Sequence, residues 1–149
     1  MKEFDELIAV LGRELGIEFQ IREDAVSFDA VVDVEAGASI GVDLTYLPEG
    51  QRILASADLG ELPREDGFCR TLMEANHLFA FTGGATLSVE PESRHVRIEI
   101  CCPLVLLRKD GGVMFLERFL NIAESWRKHL TEPSETSINT MSHFKYVMA

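Results

Sequence analysis

The residues of this chain that are able to do chemistry are few and scattered. The glycine pair Gly83 and Gly84, within ANHLFAFTGGATLSVEPES (75–93), has the composition of a phosphate cradle. A phosphate loop, however, runs strand, glycine turn, helix, so that the first helical amides face the anion. Here the periodicity reads helix before the glycines and strand after them, and no Lys-Ser or Lys-Thr follows. The pair therefore reads as a chain reversal in which glycine permits a positive φ. Cys69 stands near a predicted helix start, where the dipole lowers a thiol pKa. His77 is the nearest base, but eight residues of helix span about 12 Å, too far for direct proton transfer. The four histidines, His77, His95, His129 and His143, share no i, i+4 face, and Cys69, Cys101 and Cys102 show no CxxC spacing. Neither a metal site nor a disulfide framework is expected, and the thiols read as reduced and mostly buried. GxSxG, HExxH and P-loop patterns are absent, so no enzyme activity and no cofactor are expected.

Composition narrows the partners. A chain of 149 residues, 46% hydrophobic, is large enough to bury a core as one domain without staples. Fourteen Lys plus Arg against twenty-five Asp plus Glu give a net charge of −11, which opposes binding to nucleic-acid phosphates and to anionic membranes. MKEFDELIAVLGRELG is broken by acids and Arg13 and does not read as a signal peptide, and no apolar stretch is long enough to span a bilayer, so a cytoplasmic location is expected.

The elements that must position these residues follow from hydrophobic period. Phe4, Leu7, Ile8, Leu11 and Leu15 recur at helical spacing over 1–15, and Gly16 stands where that helix stops. From 25 to 59 the period is two: Phe28, Ala30, Val32 and Val34, then Ile40, Val42, Leu44 and Tyr46, then Ile53, Ala55, Ala57 and Leu59, with EAG (35–37) and PEG (48–50) as turns. ELPRED (61–66) reads as the start of a second helix carrying Phe68, Leu72, Ala75 and Phe79. Strands 85–90 and 94–101 flank a PES turn. After a loop containing KDGG (109–112), a third helix presents Phe115, Phe119, Ile122, Trp126 and Leu130. The order αβββαββα predicts an α+β fold, a twisted antiparallel sheet flanked by helices. Residues 131–149 lose all periodicity and read as a tail outside the 1–130 domain, with Phe144, Tyr146, Val147 and Met148 as its apolar residues.

That order, the length and the acidity resemble the CesT/Tir-chaperone family of type III secretion chaperones. In LMEANHLFAFTGGATLSVEPES (72–93), Leu72, Ala75, Asn76, Thr82, Gly83, Gly84, Ala85, Leu87, Glu90 and Pro91 match the family's helix, glycine turn, strand and acidic-proline turn. FLERFLNIAESWRKHL (115–130) resembles its last helix, and DLGELP (58–63) its exit from the third strand. The resemblance implies a homodimer without ATP or catalysis that holds the N-terminal region of a secreted effector extended. It makes the glycines architectural, letting the second helix and the following strand lie together at the dimer interface. Leu72, Met73, Leu78 and Phe79 are expected in that interface, because a helix apolar on more than one side needs more than its own sheet to cover it. Val31 and Leu54 fall on the polar parity of their strands among Asp29, Asp33, Asp43, Ser56 and Asp58, and with Phe4 and Leu11 of the first helix they are the expected effector-binding residues. The alternative is a cytoplasmic regulatory or ligand-binding protein of similar fold, with a pocket between the sheet and the last helix.

Overall fold

The structure, a computed structural model, describes residues 2–33, 37–108 and 110–132. The elements are α1 (Lys2–Leu15), β1 (Gln20–Ile21), β2 (Ala25–Asp33), β3 (Ala38–Leu47), β4 (Arg52–Glu61), α2 (Phe68–Asn76), β5 (Thr86–Val89), β6 (His95–Pro103) and α3 (Gly111–Thr131), with short 3-10 turns at His77–Phe79 and Leu104–Leu107. The strands form one antiparallel sheet in the order β1-β2-β3-β4-β6-β5.

Alternation builds the core. Val26 and Phe28, Ile40 to Tyr46, Ile53 to Leu59, and Val96 and Ile98 send every second side chain to one buried face. The helices lie there: α3 crosses β4 and also packs against α1, while α2 packs against β5. From α1 the face Phe4, Leu7, Ile8 and Leu11 is buried, and from α3 the face Leu116, Phe119, Ile122, Ala123, Trp126 and Leu130. Gly112 lets α1 and α3 approach closely, since a Cβ there would sit 2.5 Å from Leu7 Cδ1. The opposite face of the sheet is polar. Arg97 donates to Asp43 at 3.1 Å and to Ser56 at 2.9 and 3.0 Å, and Ser56 donates to Glu99 at 3.3 Å.

The predicted architecture stands, with four corrections. A sixth strand, β1, lies in the 16–24 stretch that carried no expected element. ELPRED does not begin α2: Leu62 is buried and its N–H donates to Arg94 C=O at 2.9 Å, and a turn over 65–67 that ends at Gly67, at φ 89°, leads into the helix. The first two glycines expected in a loop before α3 are its first turn. The thiols are not mostly buried, since Cys69 and Cys101 are exposed and Cys102 only half-buried. Val34, the first two residues of the EAG turn, His143 and the tail residues 133–149 lie outside the described residues.

Candidate functional site

The two edges of the sheet are finished differently. At the β5 edge, the Asn76 side chain at the end of α2 acts as a strand partner: its Nδ2 donates to Leu87 C=O at 2.9 Å, and Leu87 N–H donates to its Oδ1 at 2.8 Å. The α2–β5 connection that sets this contact is itself pinned to α3. Trp126 Nε1 donates to Phe81 C=O at 3.0 Å, and Gly83 (φ 61°) lies so close to α3 that a Cβ would meet Ile122 Cδ1 at 2.4 Å. Both predicted turn glycines have positive φ, and they lie beyond the 3-10 turn rather than at the helix exit itself.

At the other edge, β1 is two residues long and pairs only with Val26 and Ser27 of β2. Arg22 N–H donates to Ala25 C=O on this side, whereas Asp24 C=O accepts from Tyr46 N–H on the β3 side. Antiparallel alternation then turns the backbone groups of Asp29 and Val31 outward, where no described strand meets them. Beside this open stretch lies a cleft of about 570 Å³ between the α1–β1 connection, β2 and α3. Leu15, Ile17, Phe28, Ala30, Val31 and Leu120 make its apolar lining, and Glu18, Asp29 and Glu117 bring carboxylates from three separate elements. A free row of backbone donors and acceptors beside apolar side chains is what an added strand requires.

The expected site residues divide sharply. Val31, 65% exposed, lines this cleft. Phe4 and Leu11, 3% and 2% exposed, are core residues and present no surface to a partner; Phe4 stacks on Tyr46 with centroids 5.6 Å apart. Leu54 is half-buried on the polar face, opposite Thr45, whereas Val31 is opposite Ser39, six residues away on β3. That separation is about 20 Å, so the two do not form one site. Of the residues expected between protomers, Leu72 is turned into the core with Phe68 and Ala75, at 3% exposure, and is corrected to a core residue. Met73 and Leu78 are instead highly exposed and Phe79 about half so. Leu78 and Phe79 hold left-handed φ values of 54° and 55°, a conformation that costs non-glycine residues of order 1–3 kcal/mol each. Sequence reasoning missed Leu15, Ile17, Glu18, Asp29, Glu117 and Leu120 as cleft residues. The alternation Ile17, Phe19, Ile21 after Gly16 carried the signal for Ile17.

A family model described as the Tir chaperone protein (CesT) family matches residues 6–127. The chain belongs to that family. Its fold is shared with a chain in the crystal structure of the ExsC–ExsE complex, at 20% identity and TM-score 0.69, covering 87% of this chain and 94% of that one. It is also similar to a chain in the structure of the HopA1–SchA chaperone–effector complex, at 13% identity and TM-score 0.61, covering 86% and 92%. No curated protein sequence matches.

In this CesT-family chain, the remaining reactive groups are dispersed. Among the described residues no three His, Cys, Asp or Glu side chains are grouped to hold a metal ion, and no helix is long and apolar enough to cross a membrane. His95 Nδ1 lies 2.9 Å from both oxygens of Asp58. Burial alone would raise the Asp58 carboxyl, but the hydrogen bonds from His95 and from Gly60 N–H, with the charges of His95 and Arg97, outweigh it and hold the group below its ordinary value. His129 packs edge-on against Trp126 and near Phe68, and burial lowers its pKa. Burial, then the neighbouring Cys101, raises the Cys102 thiol, which keeps it protonated and a poor nucleophile. A second cavity of about 310 Å³ does lie between β6 and α3, lined by Ile100, Cys102, Leu106, Met114 and Phe115, with Arg118 as the one charged side chain among the described residues.

Proposed function

We propose that this protein is a type III secretion chaperone that binds the N-terminal region of a secreted effector and keeps it extended for export, in the cytoplasm of a bacterium, by binding alone and without ATP or catalysis. The observation that carries this reading is the outward-facing backbone of Asp29 and Val31 beside an apolar cleft, in a chain of a chaperone family. An extended client gains main-chain hydrogen bonds along β2 and places alternate side chains against Leu15, Ile17 and Leu120. Such binding needs no energy source, because the client is held by the same pairing that stabilises the sheet. The likeness to a chain of a chaperone–effector complex supports the same reading.

The working unit is a homodimer. Met73, Leu78 and Phe79 form an exposed apolar patch at the end of α2, and a backbone that costs free energy to display two of them favours an occupant there. A second copy supplies it, with Leu72 supporting the patch from beneath. Light scattering is expected to give twice the protomer mass, and Met73→Glu to give a monomer.

The test of function is a photo-crosslinking residue at position 31 in the native cell, followed by mass spectrometry. One dominant secreted partner, joined through its N-terminal region and no longer exported when the chaperone is deleted, is the expected result. Crosslinks spread over many cytoplasmic proteins, with export unaffected, would remove the chaperone reading.

A further inference from the structure

We infer that the client segment seated on β2 is cationic, an extended stretch in which apolar residues alternate with at least one Lys or Arg. This rests on the reading of the cleft as the client site and adds the chemistry by which the client is chosen. Among the described residues the cleft is lined by Glu18, Asp29 and Glu117 and by no Lys, Arg or His. None of the three acids has a hydrogen-bond or ion-pair partner among the described residues. Other exposed acids, such as Asp5, Glu49, Glu61 and Asp66, also lack a side-chain partner among the described residues, but in the cavity between α1 and the Leu104–Leu107 turn Arg108 holds Glu3 at 2.8 Å, and Lys2 stands 4.0 Å from Glu6. On the sheet's polar face Arg97 holds Asp43, and on α2 Arg70 holds Glu74 at 2.6 Å.

Three carboxylates without a partner among the described residues thus line a cavity that borders an open strand edge. Asp29 carries two roles at one residue, since its backbone faces the incoming strand while its carboxylate stands next to Val31 on the same strand. Glu18 and Glu117 approach from the connection and from α3. An arriving cation meets three exposed carboxylates at once, and salt screens that attraction. An acidic segment with the same apolar pattern is repelled, which supplies discrimination that apolar alternation lacks.

Short random peptides displayed for selection on the purified protein test this directly. The wild-type protein is expected to select sequences with Lys or Arg set within apolar alternation. Their affinity should fall as salt is raised. It should also fall about tenfold on the Glu18→Gln, Asp29→Asn, Glu117→Gln variant, with the salt dependence lost, three partly exposed pairs together giving a change of that order. The single exposed change Asp29→Lys, which needs no repacking, is expected to turn selection away from basic peptides. Selected peptides that lack basic residues, or that bind the neutralised and charge-reversed proteins as well as wild type, overturn the cationic inference. Val31→Pro keeps the two cases apart, because it removes an outward N–H without touching the acids. Basic peptides that bind Val31→Pro undiminished would show that the strand edge is not the site, and the reading beneath the inference would fall with it.

Discussion

At one end of the sheet the short strand β5 has its outer side occupied by Asn76, whose amide supplies both a donor and an acceptor to Leu87. At the other end the long strand β2 has a two-residue partner and then nothing among the described residues. An unpaired edge invites association with any extended chain, and proteins ordinarily blunt it. Here one edge is blunted by a side chain dedicated to the purpose, while the other is left beside an apolar cleft ringed by carboxylates. The difference fits the proposed client site: the same chain closes one edge with a side chain and leaves the other open beside the cleft.

The closed edge is the more costly to disturb. Asn76→Ala removes two hydrogen bonds and leaves the backbone of the buried Leu87 without these partners, so a loss of about 3 kcal/mol is expected, with new self-association through β5. Urea unfolding and light scattering measure the two effects, and an unchanged midpoint would mean that water replaces the amide without cost. Gly83→Ala strikes the support of that edge. A positive φ and a methyl driven against Ile122 are expected to cost about 2 kcal/mol, read as a lower denaturation midpoint at unchanged m-value.

The joint between α2 and α3 adds a pH dependence. His129 has a folded pKa below its ordinary 6.5, so the neutral ring is the form the fold prefers. Its stabilising contribution is fully present above about pH 6.5 and is lost as pH falls from there through the lower folded value. Thermal melts should therefore show a decline on acidification through that window which His129→Gln reduces. Equal pH profiles for the two proteins would place the decline elsewhere.

The open edge should be nearly silent in stability. Val31→Pro removes a donor that bonds nothing among the described residues, so its unfolding free energy is expected to stay within about 1 kcal/mol of wild type, while client binding drops. Leu54→Asp, on the polar face about 20 Å away, should leave binding at the cleft unchanged. Loss of binding with Leu54→Asp and none with Val31→Pro would move the client to the opposite face of the sheet.

Much of this was legible in the residues. Period two over 25–59 put Ile40, Val42, Leu44 and Tyr46 on one face, and period 3.6 put Phe119, Ile122 and Trp126 on another, because each pattern depends only on local backbone geometry. The same patterns set Val31 on the polar parity and Leu72 with Phe68 and Ala75, but they also set Phe79 on that face of the helix, whereas α2 ends at Asn76 and Phe79 stands half exposed. Where an element stops depends on what packs against it, which periodicity does not record.

The sequence by itself determined the three helices and five of the six strands, their order, the face each presents to the core and the reversal at Gly83 and Gly84, since these follow from near-neighbour sterics and side-chain periodicity. Only the tertiary structure decided how the sheet ends. Asn76 reaches Leu87 across 11 residues, and Glu18, Asp29 and Glu117 meet at one cleft from three elements. An edge is open or closed according to whether a segment remote in the chain arrives to pair with it, and no local pattern in β2 or β5 records that arrival.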